Sequence, residues 1–490
     1  MSAAPEHSSA RPPAAEAAAI DASIRVPVLV LLGFAVFWLL GATALGLAAA
    51  IKLHTPSFLA QCEFLTYGRV YPAALNAFAW GWGVNAGLAV ALWLMARLAR
   101  ATLPGAGLLT VAAVAWNVGV KLGVLGILAG WSSSVTWLEM PRHLMPFLLV
   151  VFTLIAAWIV GLLRRGASPR LYASQWWLLS ALFWLPWVWS AAGAMLFLAP
   201  VRGTVQSVVA AWFGHNFLAL WFAPLALAVL YYLLPKLLGR PIRAYWLAPL
   251  AFWSYAVFTT WAGAARLAGA PVPAWTPAAG EVACFILTLP LVVIAVNLFG
   301  PLLGNLAALR SSVVLRFAAV AAFCFTLFTL RLAFTALPGV AEITRLTWFD
   351  TASDYAVLYG EFSFAMFAAA YYLAPRLVLR PWWSASLINA HFWLSFTGHV
   401  IAMFALTVGG WIQGQELADG KIPFAAVAAH TLPWLQAATL GGLLLAIGHL
   451  AFAVNLVKLV LCPQHRAASA AAPVPASAFS APELEQAPAP

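Results

Sequence analysis

The sequence predicts an all-α polytopic membrane protein, a bundle of twelve helices that cross a lipid bilayer. Of its 490 residues, 64% are hydrophobic and only 8% are charged. Soluble globular domains carry about 25% charged residues, so this composition excludes a soluble fold. The apolar residues also occur in runs of more than about 20. At 1.5 Å per residue, such a run is long enough to cross a hydrocarbon core of roughly 30 Å.

Twelve apolar segments lie between residues 25 and 462, and we predict that they form a single twelve-helix transmembrane domain. Residues 1–24 are rich in Ala, Pro and Ser and lack the apolar core of a signal peptide, so we expect a disordered tail. Residues 463–490 are a second Ala/Pro-rich stretch with the same expectation. The predicted spans are 26–51, 72–98, 105–130, 143–164, 173–199, 205–235, 245–268, 278–304, 312–337, 352–375, 384–413 and 428–460.

The distribution of basic residues indicates membrane topology and not nucleic-acid binding. The net charge is +11, but Lys and Arg occur one to three at a time between apolar segments. Because short cytoplasmic loops are enriched in Lys and Arg, the more basic set of connections predicts that both termini are cytoplasmic. That set contains Arg97, Arg100, Arg164, Arg165, Arg170, Lys236, Arg240, Arg243, Arg310, Arg316, Arg376 and Arg380.

The four cysteines, at positions 62, 284, 324 and 462, are far apart and form no CxxC or CxxCH motif. Zinc sites and covalently attached c-type haem need such closely spaced ligands. Any haem c would therefore belong to a partner chain.

The stretch from Trp212 to Lys236, WFGHNFLALWFAPLALAVLYYLLPK, is the most informative of the apolar segments. It places the polar pair His215-Asn216 inside a span, where polar groups are functional candidates. With its closing YYLLPK, it resembles the sixth helix of subunit I of the haem-copper oxidase superfamily, closest to the cbb3-type cytochrome c oxidases.

Four further motifs extend this resemblance over about residues 26–460, in the family's order and spacing. They are LTYGRVYPAALNAF at 65–78, YWLAPLAFWSYAVFTTWAGAARL at 245–267, LYGEFSFAMFAAAYYLAPRL at 358–377 and HFWL at 391–394, similar to helices two, seven, ten and eleven. Twelve spans is also the family's number. The resemblance implies a respiratory membrane protein that binds haem b and copper and works with a c-type cytochrome subunit.

The same resemblance implies that most cofactor ligands are missing from this chain. The family's low-spin haem histidine on helix two falls on Ala74, and its two haem ligands on helix ten fall on Ser353 and Tyr355. The copper-binding histidine pair of helix seven falls on Ala265 and Arg266. Only His215 occupies a ligand position as histidine, and one imidazole cannot form a copper site. We therefore expect neither haem nor copper, with tyrosinate as the one remaining donor able to ligate haem iron.

Polar residues inside the spans raise a separate question. A lone histidine in a membrane bundle is usually a hydrogen-bonded structural residue, and this is our prediction for His215 and His391. Arg266, Asp354 and Glu361 are predicted to form a polar cluster, because an unpaired ionisable group in hydrocarbon costs several kcal/mol. The cluster either fills the space of the lost cofactors with a salt bridge or lines a polar cavity. Lys121, in the third span, poses the same question.

Three functions follow from these observations. The favoured one is a catalytically inactive scaffold, assembly or regulatory subunit linked to respiration in a bacterial inner membrane. The second is a working terminal oxidase or nitric oxide reductase that transfers electrons from cytochrome c and translocates protons. The third is a transporter or channel that reuses the haem cavity. The expected partners are membrane lipids and a c-type cytochrome subunit or other respiratory membrane proteins, and nucleic acid is not among them.

Overall fold

The computed structural model describes residues 14–166 and 171–462, which form a bundle of long helices. A helix satisfies its own backbone hydrogen bonds, which apolar surroundings demand. Twelve long helices correspond to the twelve predicted spans, so the prediction of an all-helical membrane bundle is confirmed. In chain order they are α1 Ala14–His54, α2 Tyr67–Ala99, α3 Ala106–Leu128, α4 Met145–Arg165, α5 Ala173–Leu198, α6 Thr204–Leu238, α7 Ala248–Ala262, α8 Trp275–Phe299, α9 Val313–Thr335, α10 Trp348–Val378, α11 Ala385–Ala418 and α12 Phe424–Leu461.

Eleven helices of the described chain are long and apolar enough to cross a membrane. The seventh predicted span is the exception, because the regular α-helix of α7 has only 15 residues. Short 3-10 turns at Tyr245–Leu247 and Gly263–Leu267 extend it at both ends. The whole of the predicted span is therefore helical, but its last turn is wound more tightly.

The centre of the bundle is formed by α2, α6 and α10. In the most apolar window of each helix, 94% of the residues of α2 and 100% of those of α6 and α10 are buried, against at most 50% in the other eight helices that are long enough to cross a membrane. These three helices are thus enclosed by protein, and the others form the wall that faces lipid. The resemblance placed four of its six ligand positions on the same three helices.

Each central helix changes to π-helical geometry for a short stretch, at Ala77–Gly83, Leu218–Phe222 and Ala356–Ser363. Such segments interrupt the regular ladder of backbone hydrogen bonds, and they frequently accompany functional sites. The segment in α10 contains Glu361, one of the predicted polar residues.

The prediction of a disordered tail over residues 1–24 is wrong for residues 14–24, because α1 begins at Ala14. Ile20 is buried in the bundle. Glu16 and Asp21 lie 2.8 Å and 3.5 Å from two arginines at the end of α2. These contacts between helices extend α1 beyond the apolar run from which its start was predicted. The other predicted tail residues, 1–13 and 463–490, lie outside the described part of the chain.

Candidate functional site

His215, the one histidine at a family copper position, is buried in α6 against the tight turn that ends α7. Its Nε2 atom lies 2.9 Å from the backbone carbonyl oxygen of Thr259, to which a protonated Nε2 donates. Gly263 allows this close approach, because a Cβ atom there would lie 2.5 Å from the Cβ atom of His215. The imidazole is therefore held by a neighbouring helix, as a structural histidine is.

Two of the three predicted polar residues form an ion pair. The guanidinium of Arg266, at the end of α7, donates a hydrogen bond of 2.8 Å to the carboxylate of Asp354 in α10. Both side chains are partly exposed, so solvent weakens the attraction. The pair joins α7 to α10: Arg266 occupies an assigned copper-ligand position, and Asp354 lies between the two assigned haem-ligand positions of α10.

Glu361, the third residue of the predicted cluster, is not part of this ion pair. Its side chain is fully buried, and neither carboxyl oxygen has a hydrogen-bond partner among the described residues. It lines a cavity of about 20 Å³ that is also lined by His215 and Arg266. The same two residues line an adjacent cavity of about 30 Å³. Each cavity exceeds the 10–15 Å³ or so that a water molecule needs, so the polar-cavity interpretation applies to Glu361.

Arg331 of α9 lies next to Ser353 and contacts it directly. Sequence analysis did not identify this residue. Its Nε atom donates to the Ser353 hydroxyl at 2.8 Å, and a second nitrogen donates to the carbonyl oxygen of Phe349 at 2.7 Å. The guanidinium carbon also lies 3.5 Å from the centre of the Phe349 ring. Arg316 lies in the first turn of α9, whereas Arg331 follows a long uncharged run of the same helix, so it could have been found by the rule that identified Arg266.

The positions of the two other replaced haem ligands, Ala74 and Tyr355, both line one large cavity. Its volume is about 260 Å³, and it lies between α1, α2, α10, α11 and α12. The hydroxyl of Tyr355 is buried and has no hydrogen-bond partner in the described structure. The resemblance therefore led to a real cavity, although nothing in the sequence gave its size.

The other buried histidines are held mainly by tyrosine and threonine. The Nδ1 atom of His391 lies 2.8 Å from the hydroxyl of Tyr371. His449 contacts the Thr43 hydroxyl at 2.8 Å through Nδ1 and the hydroxyl of Tyr359 through Nε2. His399 lies with its Nε2 atom 3.8 Å from the sulfur of Cys324. These contacts agree with structural roles. Lys121 is exposed on the outer surface of α3 and is not part of a buried cluster.

The donors at these positions do not fit the family's cofactors. Alanine at 74 and 265 has no donor atom, and the Ser353 hydroxyl already accepts a hydrogen bond from a guanidinium. Arg266 occupies a position assigned to a copper ligand, and Arg331 donates to Ser353, which occupies a position assigned to a haem ligand. Both are cations, and like charges repel at short range. Only His215 and Tyr355 offer a donor, on different cavities. No step of a reaction is therefore assigned to haem or copper here.

Glu139, in the connection between α3 and α4, is a second buried carboxyl missed by sequence analysis. It is only 8% exposed, and it accepts a hydrogen bond of 2.7 Å from the Nδ2 atom of Asn76 in α2. Burial raises the pKa of this carboxyl from 4.5 to about 7, against the opposing effect of that hydrogen bond. Glu139 therefore titrates close to neutral pH.

This carboxyl predicts a pH dependence of stability. Because the folded state binds the proton more tightly than the unfolded state, the contribution of Glu139 is fully present below about pH 4.5 and is lost as the pH rises through about 7. Glu139→Gln should remove roughly 1–2 kcal/mol of the decrease between pH 5 and 8. Apparent melting temperatures of both proteins across that range test this. Parallel curves would contradict it.

Nine helices surround three buried, locally π-helical ones in the described chain, and this arrangement is a bundle of the respiratory oxidase type. The family described as Cytochrome C and Quinol oxidase polypeptide I matches residues 26–444. Since this match covers most of the chain, the chain belongs to that family.

Individual relatives support the assignment at low identity. A cytochrome c oxidase subunit 1 homolog of Agrobacterium tumefaciens (strain T37) is 25% identical over 455 residues, which are 89% of this chain and 84% of the relative. The cbb3-type cytochrome c oxidase subunit CcoN1 of Stutzerimonas stutzeri is 25% identical over 440 residues, with coverages of 87% and 92%. A solved heme-copper terminal oxidase dimer has a similar fold, with a TM-score of 0.68 and 16% identity over 92% of this chain and 85% of that one.

Proposed function

We propose that this chain is a cofactor-depleted relative of oxidase subunit I that has no catalytic activity of its own. In this proposal it acts as a scaffold, assembly or regulatory subunit linked to respiration, in the inner membrane of a bacterium. The observation that supports it best is the donor set at the positions assigned by resemblance. Ala74 and Ala265 have no donor, and Arg266 is engaged by Asp354.

The packing of the site supports a stable fold without cofactors. Arg331 donates hydrogen bonds to Ser353 and Phe349 of α10. It also donates one of 3.1 Å to the hydroxyl of Thr407 in α11, so it links the two helices. Arg266 joins α7 to α10 through Asp354. Side chains of this protein thus make the interhelical connections that metal ligation would otherwise make. The family membership indicates respiratory membrane proteins as partners, and a c-type cytochrome subunit is the partner we propose first.

Optical and metal analysis of the purified full-length chain tests the absence of cofactors. We expect no reduced-minus-oxidised haem b signal, no stoichiometric copper and no cytochrome c-dependent oxygen uptake, because the chain lacks paired imidazole donors at the assigned positions. His215→Ala should leave the copper content unchanged. About one haem per chain with a low-spin spectrum would overturn the proposal and favour a working oxidase or nitric oxide reductase. Loss of bound copper in His215→Ala would have the same meaning.

A transporter or channel is the second candidate, and it is favoured by the cavity that Glu361 lines together with the adjacent cavity at His215 and Arg266. A buried carboxyl next to water-sized cavities is a typical element of proton and ion pathways. If the chain were a transporter or channel, proteoliposomes that contain it would show a proton or cation flux that Glu361→Gln abolishes. Under the scaffold proposal, which we favour, we expect the flux to equal that of empty liposomes.

The proposed orientation places both termini in the cytoplasm, because the more basic connections lie on their side of the membrane. Fusion of alkaline phosphatase and of a green fluorescent protein to each terminus tests this orientation. We expect fluorescence and no phosphatase activity at both ends. Phosphatase activity at the C-terminus would mean that an odd number of helices crosses the membrane.

A further inference from the structure

Two charged residues on the outer wall of the bundle are not part of the sites described above. Lys121 lies in an exposed stripe of α3, between Val118 and Leu125. Glu281 is half-buried on α8, one turn before the exposed Phe285. In the part of the chain that the structure describes, neither residue forms an ion pair. Each of these two helices therefore presents a charge to the surroundings of the bundle.

The two charges lie at nearly the same distance from a helix end. Lys121 is about 10 Å from the end of α3 at Leu128, at a rise of 1.5 Å per residue. Glu281 is about 9 Å from the start of α8 at Trp275. If these two helix ends lie on the same side of the membrane, the charges are at matching depth.

Contacts within the bundle place the two helix ends on the same side. Arg69, near the start of α2, donates a hydrogen bond of 3.3 Å to the carbonyl oxygen of Leu128. The starts of α2 and α10 line one cavity, through Tyr67 and Trp348. The ion pair between α7 and α10 joins that end of α10 to the end of α7, and α8 begins after a short connection. The end of α3 and the start of α8 are therefore at the same membrane surface.

A charge at this depth is unfavourable when it faces lipid. Both residues lie more than one turn inside their helices, whereas long side chains reach the membrane surface from positions near helix ends. Coulomb attraction is strong in hydrocarbon because the dielectric constant is low. Since both side chains already face the apolar region, pairing them costs little further desolvation. A neighbour that brings an opposite charge to the same depth would therefore stabilise each of them.

A second copy of this chain carries the opposite charge for each position. Within one copy, α3 packs mainly against α1, α2 and α4, whereas α8 packs mainly against α7 and α9. Lys121 therefore cannot pair with Glu281 of its own chain. Two copies with the same orientation in the membrane can place α3 of one against α8 of the other, with the charges at equal depth. A contact between two α3 helices would instead bring two lysines together, and like charges repel.

We propose that the exposed face of α3 in one copy binds the exposed face of α8 in a second copy, through an ion pair between Lys121 and Glu281. Apolar residues of the two faces, such as Val118 and Phe285, pack around the pair. The contact is head-to-tail, so it repeats from copy to copy into a ring or an open chain. The inference goes beyond the proposed function and does not depend on it.

Energy transfer between donor- and acceptor-labelled copies of the purified full-length chain in proteoliposomes tests the proposal. We expect the unmodified chain to associate. Lys121→Glu and Glu281→Lys each place like charges at the contact. Each should therefore weaken self-association by about 3- to 30-fold, the range for a polar contact between membrane helices. Lys121→Arg keeps the charge and should associate as the unmodified chain does.

A mixture of the two charge-reversed chains separates a direct contact from a folding defect. When donor-labelled Lys121→Glu is mixed with acceptor-labelled Glu281→Lys, every contact between the two variants again joins a cation to a carboxylate. Energy transfer should then return to the level of the unmodified chain, although neither variant associates well with itself.

Three results of these measurements would overturn the inference. They are a mixture that associates no better than either variant alone, equal self-association by all variants, and no association of the unmodified chain. Co-purification of a different protein from cell membranes, lost in Lys121→Glu, would also overturn it, because another subunit would then cover this face. None of these results concerns the cofactor content, so the proposed function is tested separately.

Discussion

Replacing Gly280 with alanine is expected to destabilise the protein by about 3 kcal/mol or more, a larger loss than most overpacking substitutions cause. The new Cβ atom would lie 2.1 Å from the backbone nitrogen of Ala265 and 2.7 Å from the carbonyl carbon of Ala264. Backbone atoms cannot rotate away as a side chain does. The substitution must therefore push α8 away from the turn that carries Arg266.

Gly41→Ala in α1 is the matched control, because no atom outside its own helix turn lies within 4 Å of a Cβ atom there. Alanine is a better helix former than glycine, by roughly 1 kcal/mol, so this variant should be as stable as the unmodified protein or slightly more so. The reaction of the buried Cys284 thiol with a maleimide dye during heating reports unfolding. Equal apparent melting temperatures for Gly280→Ala and the unmodified protein would contradict the predicted close approach.

Most of the fold could be predicted because the membrane imposes a simple rule on the sequence. A span must be apolar over about 20 residues, and the twelve segments that met this rule all became helices. The ends of the helices were less predictable, since contacts with other helices determine them. The start of α1 at Ala14 depends on ion pairs of Glu16 and Asp21 with α2, and a hydropathy pattern contains no information about such partners.

The candidate site was predictable only in part, for a related reason. Arg266 and Asp354 were recognised because each is an ionisable residue in an apolar segment, and their ion pair follows from the cost of burying charge. The isolation of Glu361 could not be predicted, because it depends on the three-dimensional positions of neighbours far apart in the chain. The cavity at Tyr355 is a void between five helices, and no local sequence pattern indicates how well five helices pack.

Glu361→Met is expected to increase stability by about 1–3 kcal/mol, the penalty of a buried polar group that is left without a hydrogen-bond partner. Both carboxyl oxygens of Glu361 are buried without a hydrogen-bond partner in the described structure, so the substitution removes an unfavourable group and breaks no contact. Methionine is flexible and fills irregular space well. The apparent melting temperature in the same thiol assay should rise by several degrees.

Asp354→Asn provides the comparison, since it removes a carboxylate that does have a partner. Because the Arg266–Asp354 pair is partly exposed, its loss should cost less than about 1 kcal/mol, so the two variants should shift the melting temperature in opposite directions. A lower melting temperature for Glu361→Met would show that the carboxyl has a partner in the membrane, such as a bound water molecule or cation in the adjacent cavities. Functional groups are often retained although they lower stability, and an ionisable residue inside a membrane bundle is a functional candidate. A higher melting temperature for Glu361→Met would therefore make Glu361 the first residue to study for transport.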